Sequence, residues 1–135
     1  MAMANDLYTG TVTAREGSVS SDDGALTLDV HEPRELQGAG AATNPEQLMA
    51  AALGSCLLES LRIAATSAGG STQGAAVESR VTLSSADGPG YTARYALSVT
   101  LPDAGGDASS VLEQALSICP FTKTLDASTL EVQLA

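Results

Sequence analysis

Two residues carry the chemistry this chain can do. They are Cys56 and Cys119, the only cysteines among its 135 residues. Each lies on the small-residue side of a stretch that reads as helix, GSCLLES and LSICPF. If those helices pack together, the two sulfurs come within bonding geometry. Taken singly, a buried cysteine is ordinarily a small hydrophobe. Taken as a pair, two free thiols point to redox cycling. A thiolate in mid-helix gains little from the helix dipole, so Cys56 needs a cation beside it to ionise. The cations are few: Arg15, Arg34, Arg62, Arg80, Arg94 and Lys123. Cys119 either ends its own helix, where the dipole disfavours a thiolate, or caps a new helix opening at Pro120, which favours one. Spacing leaves both open.

Other chemistries fit the residues poorly. Two cysteines and one histidine, His31, make a poor tetrahedral zinc site. His31 reads as a strand-end surface residue. GAGAATN (38–44) lacks the strand-turn-helix setting and glycine spacing of a dinucleotide fingerprint. There are 16 acidic against 6 basic residues, a net charge of −10. Such a surface repels phosphate backbones, so no nucleic-acid partner is expected. The opening MAMANDLYTG is not a signal peptide, because no basic stretch precedes an apolar run. Glu59 and Arg62 interrupt the longest apolar segment, so no membrane span is expected. A cytoplasmic location is the default expectation, and there cysteines are more often free or redox-cycling than static staples.

The elements that must position the cysteines are these. Leu7–Thr13 and Leu26–Val30 read as strands of an opening hairpin, with SSDDG as its turn. The link between them is wide enough to carry Arg15 away from the ladder. A loop arginine bathed in solvent is the plain alternative for that residue. The segment 43–70 is one long helix, capped by Asn44 with Pro45 at its first position, or by Thr43 with Glu46 completing a capping box. Glu46 in the first turn suits the positive helix end on structural grounds alone. The helix is apolar over most of its circumference, which predicts cover from a partner subunit. Val77–Leu83 and Tyr91–Leu101 alternate around the turn ADGPG and form a second hairpin. Ser110–Ile118 is a helix with Ser110 as cap and Glu113 as box partner. Thr129–Leu134 is a last strand. The order predicts one α+β domain over residues 1–135, with mainly antiparallel sheet.

PRELQGAGAATNPEQL, Cys56 ten residues after Glu46, ICPF around Cys119 and the opening LYTGTVTAREG together resemble the organic hydroperoxide resistance proteins. These form the Ohr subfamily of the osmotically inducible protein C (OsmC/Ohr) superfamily. The resemblance runs over essentially the whole chain. It implies antiparallel sheets packed around long central helices in an intertwined homodimer, with active sites at the subunit interface. It implies that Cys56 is the peroxidatic cysteine, Cys119 the resolving one, and Arg15 with Glu46 the activating pair. The substrates implied are organic hydroperoxides, reduced through a Cys56 sulfenic acid and a Cys56–Cys119 disulfide. No bound cofactor is implied, and the reductant is dihydrolipoamide or a lipoylated protein. Leu53, Leu57 and Phe121 are the apolar neighbours that would favour an alkyl or acyl tail over hydrogen peroxide.

The chain departs from the family at the second cysteine. A tyrosine commonly follows that Cys-Pro, and here it is Phe121, so the aromatic wall survives without a phenol hydrogen bond. An Asn and an Arg often follow, where this chain has Lys123, Thr124, Leu125 and Asp126. Ten helical residues at about 1.5 Å each also separate Glu46 from Cys56 by roughly 15 Å on a straight axis. Arg15 reaching between them, a bend of the helix near Gly54, or assembly of the pair across a dimer would each resolve that distance, and the long arginine is the favoured bridge. Two other functions compete with this reading: a broader-substrate OsmC-type peroxidase, and a nonenzymatic dimeric binding module whose cysteines merely fill the core.

Overall fold

The structure is a computed structural model, and it describes residues 5–135. The chain forms two compact units, one up to Pro45 and one from Glu46 to Ala135.

The first unit is a three-stranded antiparallel meander of β1 (Val12–Arg15), β2 (Ser18–Ser21) and β3 (Thr27–Asp29). Arg15 pairs with Ser18 across a two-residue turn, Glu16 and Gly17. Gly17 takes φ +83°, a conformation glycine adopts without steric cost. The expectation of a wide link carrying Arg15 off the ladder is therefore corrected: Arg15 is the last residue of a strand. The SSDDG turn is as expected, with Ala25 N–H donating to the Asp23 carboxylate at 2.9 Å. A single 3-10 turn (Arg34–Leu36) and a parallel bridge between Val30 and Thr43 complete the unit.

The second unit holds the core. Helix α1 (Pro45–Ser67) starts at the proline the sequence marks. Leu53, Leu57, Leu61, Ala64 and Ala65 recur at helical spacing along it and are fully buried. Burying one such leucine contributes about 1.5–3 kcal/mol over leaving it in water. Strand β4 (Ala76–Ser85) lies across the helix at Gly54, where even a β-carbon would make only ordinary contact with that of Ser79, at 3.5 Å. At the far end, Gly70 N–H closes the helix on the Ala65 carbonyl at 2.8 Å. A β-carbon on Gly70 would sit 2.3 Å from the Asp103 carbonyl oxygen, so only glycine allows the two backbones to meet there.

β4 pairs antiparallel with β5 (Tyr91–Thr100) in unbroken register from Ala76–Thr100 to Ser85–Tyr91. Leu97 and Val99 are buried, whereas Arg80, Arg94 and Glu131 belong to the polar face. Strand β6 (Leu130–Leu134) then joins β5 in parallel, Leu97 opposite Val132. The sheet is thus mixed: pairing is mainly antiparallel, as the sequence predicts, with one parallel pair added by β6. The cause is the connection: helices α2 (Ala108–Ile118) and α3 (Pro120–Thr124) return the chain so that β6 runs in the direction of β5. The cap of α2 is also corrected. Asp107 holds that position and accepts from Ser110 N–H at 3.2 Å, while the Ser110 hydroxyl donates to the same carboxylate at 2.9 Å.

By length and composition α1 is apolar enough to cross a membrane, a test that a buried core helix also meets. That corrects the expectation that Glu59 and Arg62 disqualify it. The two charges lie three residues apart and neutralise each other in an ion pair. The leucines of the helix meanwhile pack into the core of the unit.

Candidate active site

Cys56 sits midway along α1, one residue before Leu57 and three after Leu53, so the buried leucine stripe fixes which way it faces. Cys119 sits between α2 and α3. It is at once the C-cap of the first and the N-cap of the second, with Pro120 at the first position of α3. Of the two roles the sequence left open for Cys119, the structure has both. Both thiols are free, and their sulfurs lie 3.4 Å apart. Forming a disulfide at about 2.05 Å needs only a small approach of the two sulfurs. Their surroundings differ. Cys119 is 0 % exposed, whereas Cys56 is partly exposed.

The two sulfurs titrate as a pair. Burial pushes the Cys56 thiol above its ordinary value, the hydrogen bond with Cys119 adds to this, and the Phe121 backbone amide opposes it. Burial is also the largest single influence on Cys119, and it too is upward. There the Thr122 hydroxyl and amide, Cys56 and the Phe121 amide together outweigh it, and the thiol ends below its ordinary value. Phe121 acts on both sulfurs, but Thr122 acts on Cys119 alone. Sequence reasoning missed Thr122. It is a hydroxyl residue 5 % exposed in the first turn after Cys-Pro, and its Oγ1 donates to the Cys119 carbonyl at 3.5 Å.

The remaining expected residues are placed as follows. Leu53 and Leu57 are fully buried in the core, and Phe121 is 48 % exposed. Glu46 lies in the first turn of α1, and its Oε1 is buried with no hydrogen-bond partner among the described residues. A buried carboxylate oxygen without a donor costs about 1–3 kcal/mol or more, so it marks a place where a donor is wanted. Arg15 is exposed at the end of β1, in the first unit. His31 is at the end of the segment after β3, and its Nδ1 is likewise buried without a partner among the described residues. No three His, Cys, Asp or Glu side chains converge as a metal site among the described residues.

Residues 38–135 match the OsmC-like protein family. The chain is 37 % identical to the organic hydroperoxide resistance protein OhrA of Bacillus subtilis, over 96 % of this chain and 99 % of that one. An organic hydroperoxide resistance protein of Legionella pneumophila is 30 % identical. It superposes with a TM-score of 0.80 over 96 % of this chain and 97 % of that one. A Vibrio cholerae protein assigned to the same group was crystallised with captopril in one of its active sites. It is 26 % identical, with a TM-score of 0.87 over 96 % of this chain and 93 % of that one. The mixed sheet and core helices described above are thus those of the OsmC fold. The chain belongs to the OsmC-like family and is closely related to the organic hydroperoxide resistance proteins.

Proposed function

We propose that the chain is a cysteine-dependent peroxidase that reduces alkyl, aryl and fatty acid hydroperoxides to alcohols. The observation that carries this is the pair of free thiols 3.4 Å apart, one reachable and one sealed in the core, in a chain of this family. The Cys56 thiolate attacks the outer peroxide oxygen, the O–O bond breaks and the alcohol leaves with a proton. Cys56 is then a sulfenic acid. The Cys119 sulfur attacks it, water leaves, and the disulfide forms. An external dithiol restores both thiols by exchange.

In this reading Arg15 supplies the cation that a partly buried Cys56 requires, because a charge close to a desolvated thiol is poorly screened. Its fork of donors also suits the peroxide oxygens. Glu46 holds the guanidinium, and its partnerless buried oxygen supports that role. Phe121, half exposed, offers an apolar wall for the substrate tail, whereas Leu53 and Leu57, expected beside it, are sealed in the core and back Cys56 from within the protein. The working form is a homodimer, supported by the large apolar side chains left exposed, Val12, Leu28, Ile63 and Phe121 among them. The reductant is dihydrolipoamide or a lipoylated protein, and the cytoplasm is the compartment that keeps the thiols reduced between turnovers.

The test is consumption of cumene hydroperoxide and of a fatty acid hydroperoxide with dihydrolipoamide as reductant. The proposal expects turnover with both and much slower turnover with hydrogen peroxide. Equal efficiency with hydrogen peroxide makes the chain a broad OsmC-type peroxidase. Absence of turnover with all three leaves a binding module.

A further inference from the structure

Reduction of the disulfide has two possible courses, since the reductant can attack either sulfur. We propose that the external dithiol attacks Cys56, that Cys119 leaves as the thiolate, and that Thr122 is the positioning residue that makes it the leaving group. This deepens the peroxidase reading and rests on it only for the origin of the disulfide.

Geometry selects the sulfur. A thiolate attacks a disulfide roughly in line with the S–S bond, so it approaches one sulfur from the side opposite the other, and rate depends on access. Cys119 is 0 % exposed and belongs to the hydrophobic core, while Cys56 is partly exposed. Of the two, Cys56 is therefore the sulfur open to an incoming thiolate, and Cys119 is closed off within the core.

The polar surroundings select the leaving group. The Phe121 amide acts on both sulfurs and so does not distinguish them. Thr122 distinguishes them, because its hydroxyl and amide act on Cys119 alone. In the reduced pair the Thr122 hydroxyl donates to the Cys119 carbonyl at 3.5 Å, at the long limit for a hydrogen bond. A thiolate beside it is the stronger acceptor, since a charged partner roughly doubles the strength of the bond. A better-stabilised thiolate departs faster.

The electrons balance. One thiolate of the dithiol forms a bond to the Cys56 sulfur. The Cys56–Cys119 bond breaks, and its electron pair leaves on Cys119. The second thiolate of the dithiol then attacks its own partner sulfur in the mixed disulfide and expels Cys56 as thiolate. The dithiol ends as a cyclic disulfide, having given two electrons, and two protons return to the cysteines as pH dictates.

The experiment starts from full-length protein oxidised with diamide, so it proceeds whether or not peroxide is the natural oxidant. The disulfide is exposed briefly to the monothiol N-acetylcysteine, free thiols are trapped with iodoacetamide, and the peptides are mapped by mass. The proposal expects N-acetylcysteine on Cys56 and the alkyl group on Cys119, in excess over the reverse by about tenfold or more, as access and leaving-group differences multiply. Even labelling, or the adduct on Cys119, overturns it. Thr122→Val keeps the side-chain shape and removes the hydroxyl, and Thr122→Ser keeps the hydroxyl and removes the methyl. With dihydrolipoamide, the valine variant is expected to reduce its disulfide several-fold more slowly and the serine variant to approach wild type. A packing role for Thr122 predicts the opposite order, and that order also overturns the assignment.

Discussion

The two units of the chain are built differently. From Glu46 onward a leucine stripe on α1, the inner positions of β5 and one side of α2 make a continuous core. Up to Pro45, no described residue is buried at all. Its three strands have only four, four and three residues. A short sheet without a covered apolar face is marginal in water. The second unit therefore carries its own stability together with both thiols. The first carries Arg15 and needs cover from outside itself. In a homodimer, a second copy is the cover on offer. The difference teaches that the redox pair can be argued from the second unit alone, while the activation proposed for Arg15 cannot.

That comparison can be broken at either end. Leu57→Ala removes a fully buried side chain from the second unit and is expected to cost about 2–5 kcal/mol, the usual range for such cavities. Urea denaturation reads it as a lower midpoint. Leu28 is 40 % exposed on the first unit. If only water covers that sheet, Leu28→Ala changes stability by less than about 0.5 kcal/mol, as surface substitutions do. The homodimer reading expects a larger loss, one that grows on dilution because association and folding are linked. A small, concentration-independent effect would leave the first unit uncovered and remove the reason for invoking a partner.

A smaller effect sharpens the same contrast. Burial pushes the Cys56 thiol up, so an acid group here stays protonated to higher pH than an ordinary thiol unless a cation opposes burial. If Arg15 is that cation, Arg15→Met slows Cys56 oxidation about tenfold or more near neutral pH, one pKa unit or more of lost activation. The rate then recovers only as pH rises through the raised thiol value. Glu46→Gln acts in the same direction and more weakly, since it loosens the guanidinium without removing it. Stopped-flow rates against pH for the three proteins decide. An unchanged profile in Arg15→Met would pass the role to another cation, Lys123 or Arg34.

Much of the second unit was legible. Asn44-Pro45 marked the start of α1 and Gly69-Gly70 its end, because the missing N–H of proline and the freedom of glycine are local properties. The β4–β5 hairpin showed in its alternation. The direction of β6 did not, because parallel and antiparallel pairing follow from the path of the intervening chain, which TLEVQL does not encode. The place of Arg15 is hidden in the sequence because Glu16-Gly17 is a two-residue turn, and SSDDG downstream carries the stronger turn signal. At the site, the cysteines stood out by their scarcity, but their pairing and the roles of Arg15 and Glu46 came from family resemblance. Nothing in the residue type of Thr122 says that this hydroxyl is buried beside a sulfur. A hydroxyl residue in the first turn after a capping cysteine is the signal that would have found it.

The central claim is that peroxide drives Cys56 and Cys119 through one redox cycle, and intact-mass measurement after one equivalent of cumene hydroperoxide tests it most directly. Wild type is expected to lose two hydrogens as the disulfide closes. Cys119→Ser should instead gain oxygen on Cys56, first as sulfenic acid and then as overoxidised forms. Cys56→Ser should not change, because an alcohol is a poor nucleophile where a thiolate is a good one. Oxidation that persists in Cys56→Ser and vanishes in Cys119→Ser would reverse the two roles, and an unchanged mass in wild type would contradict the account outright.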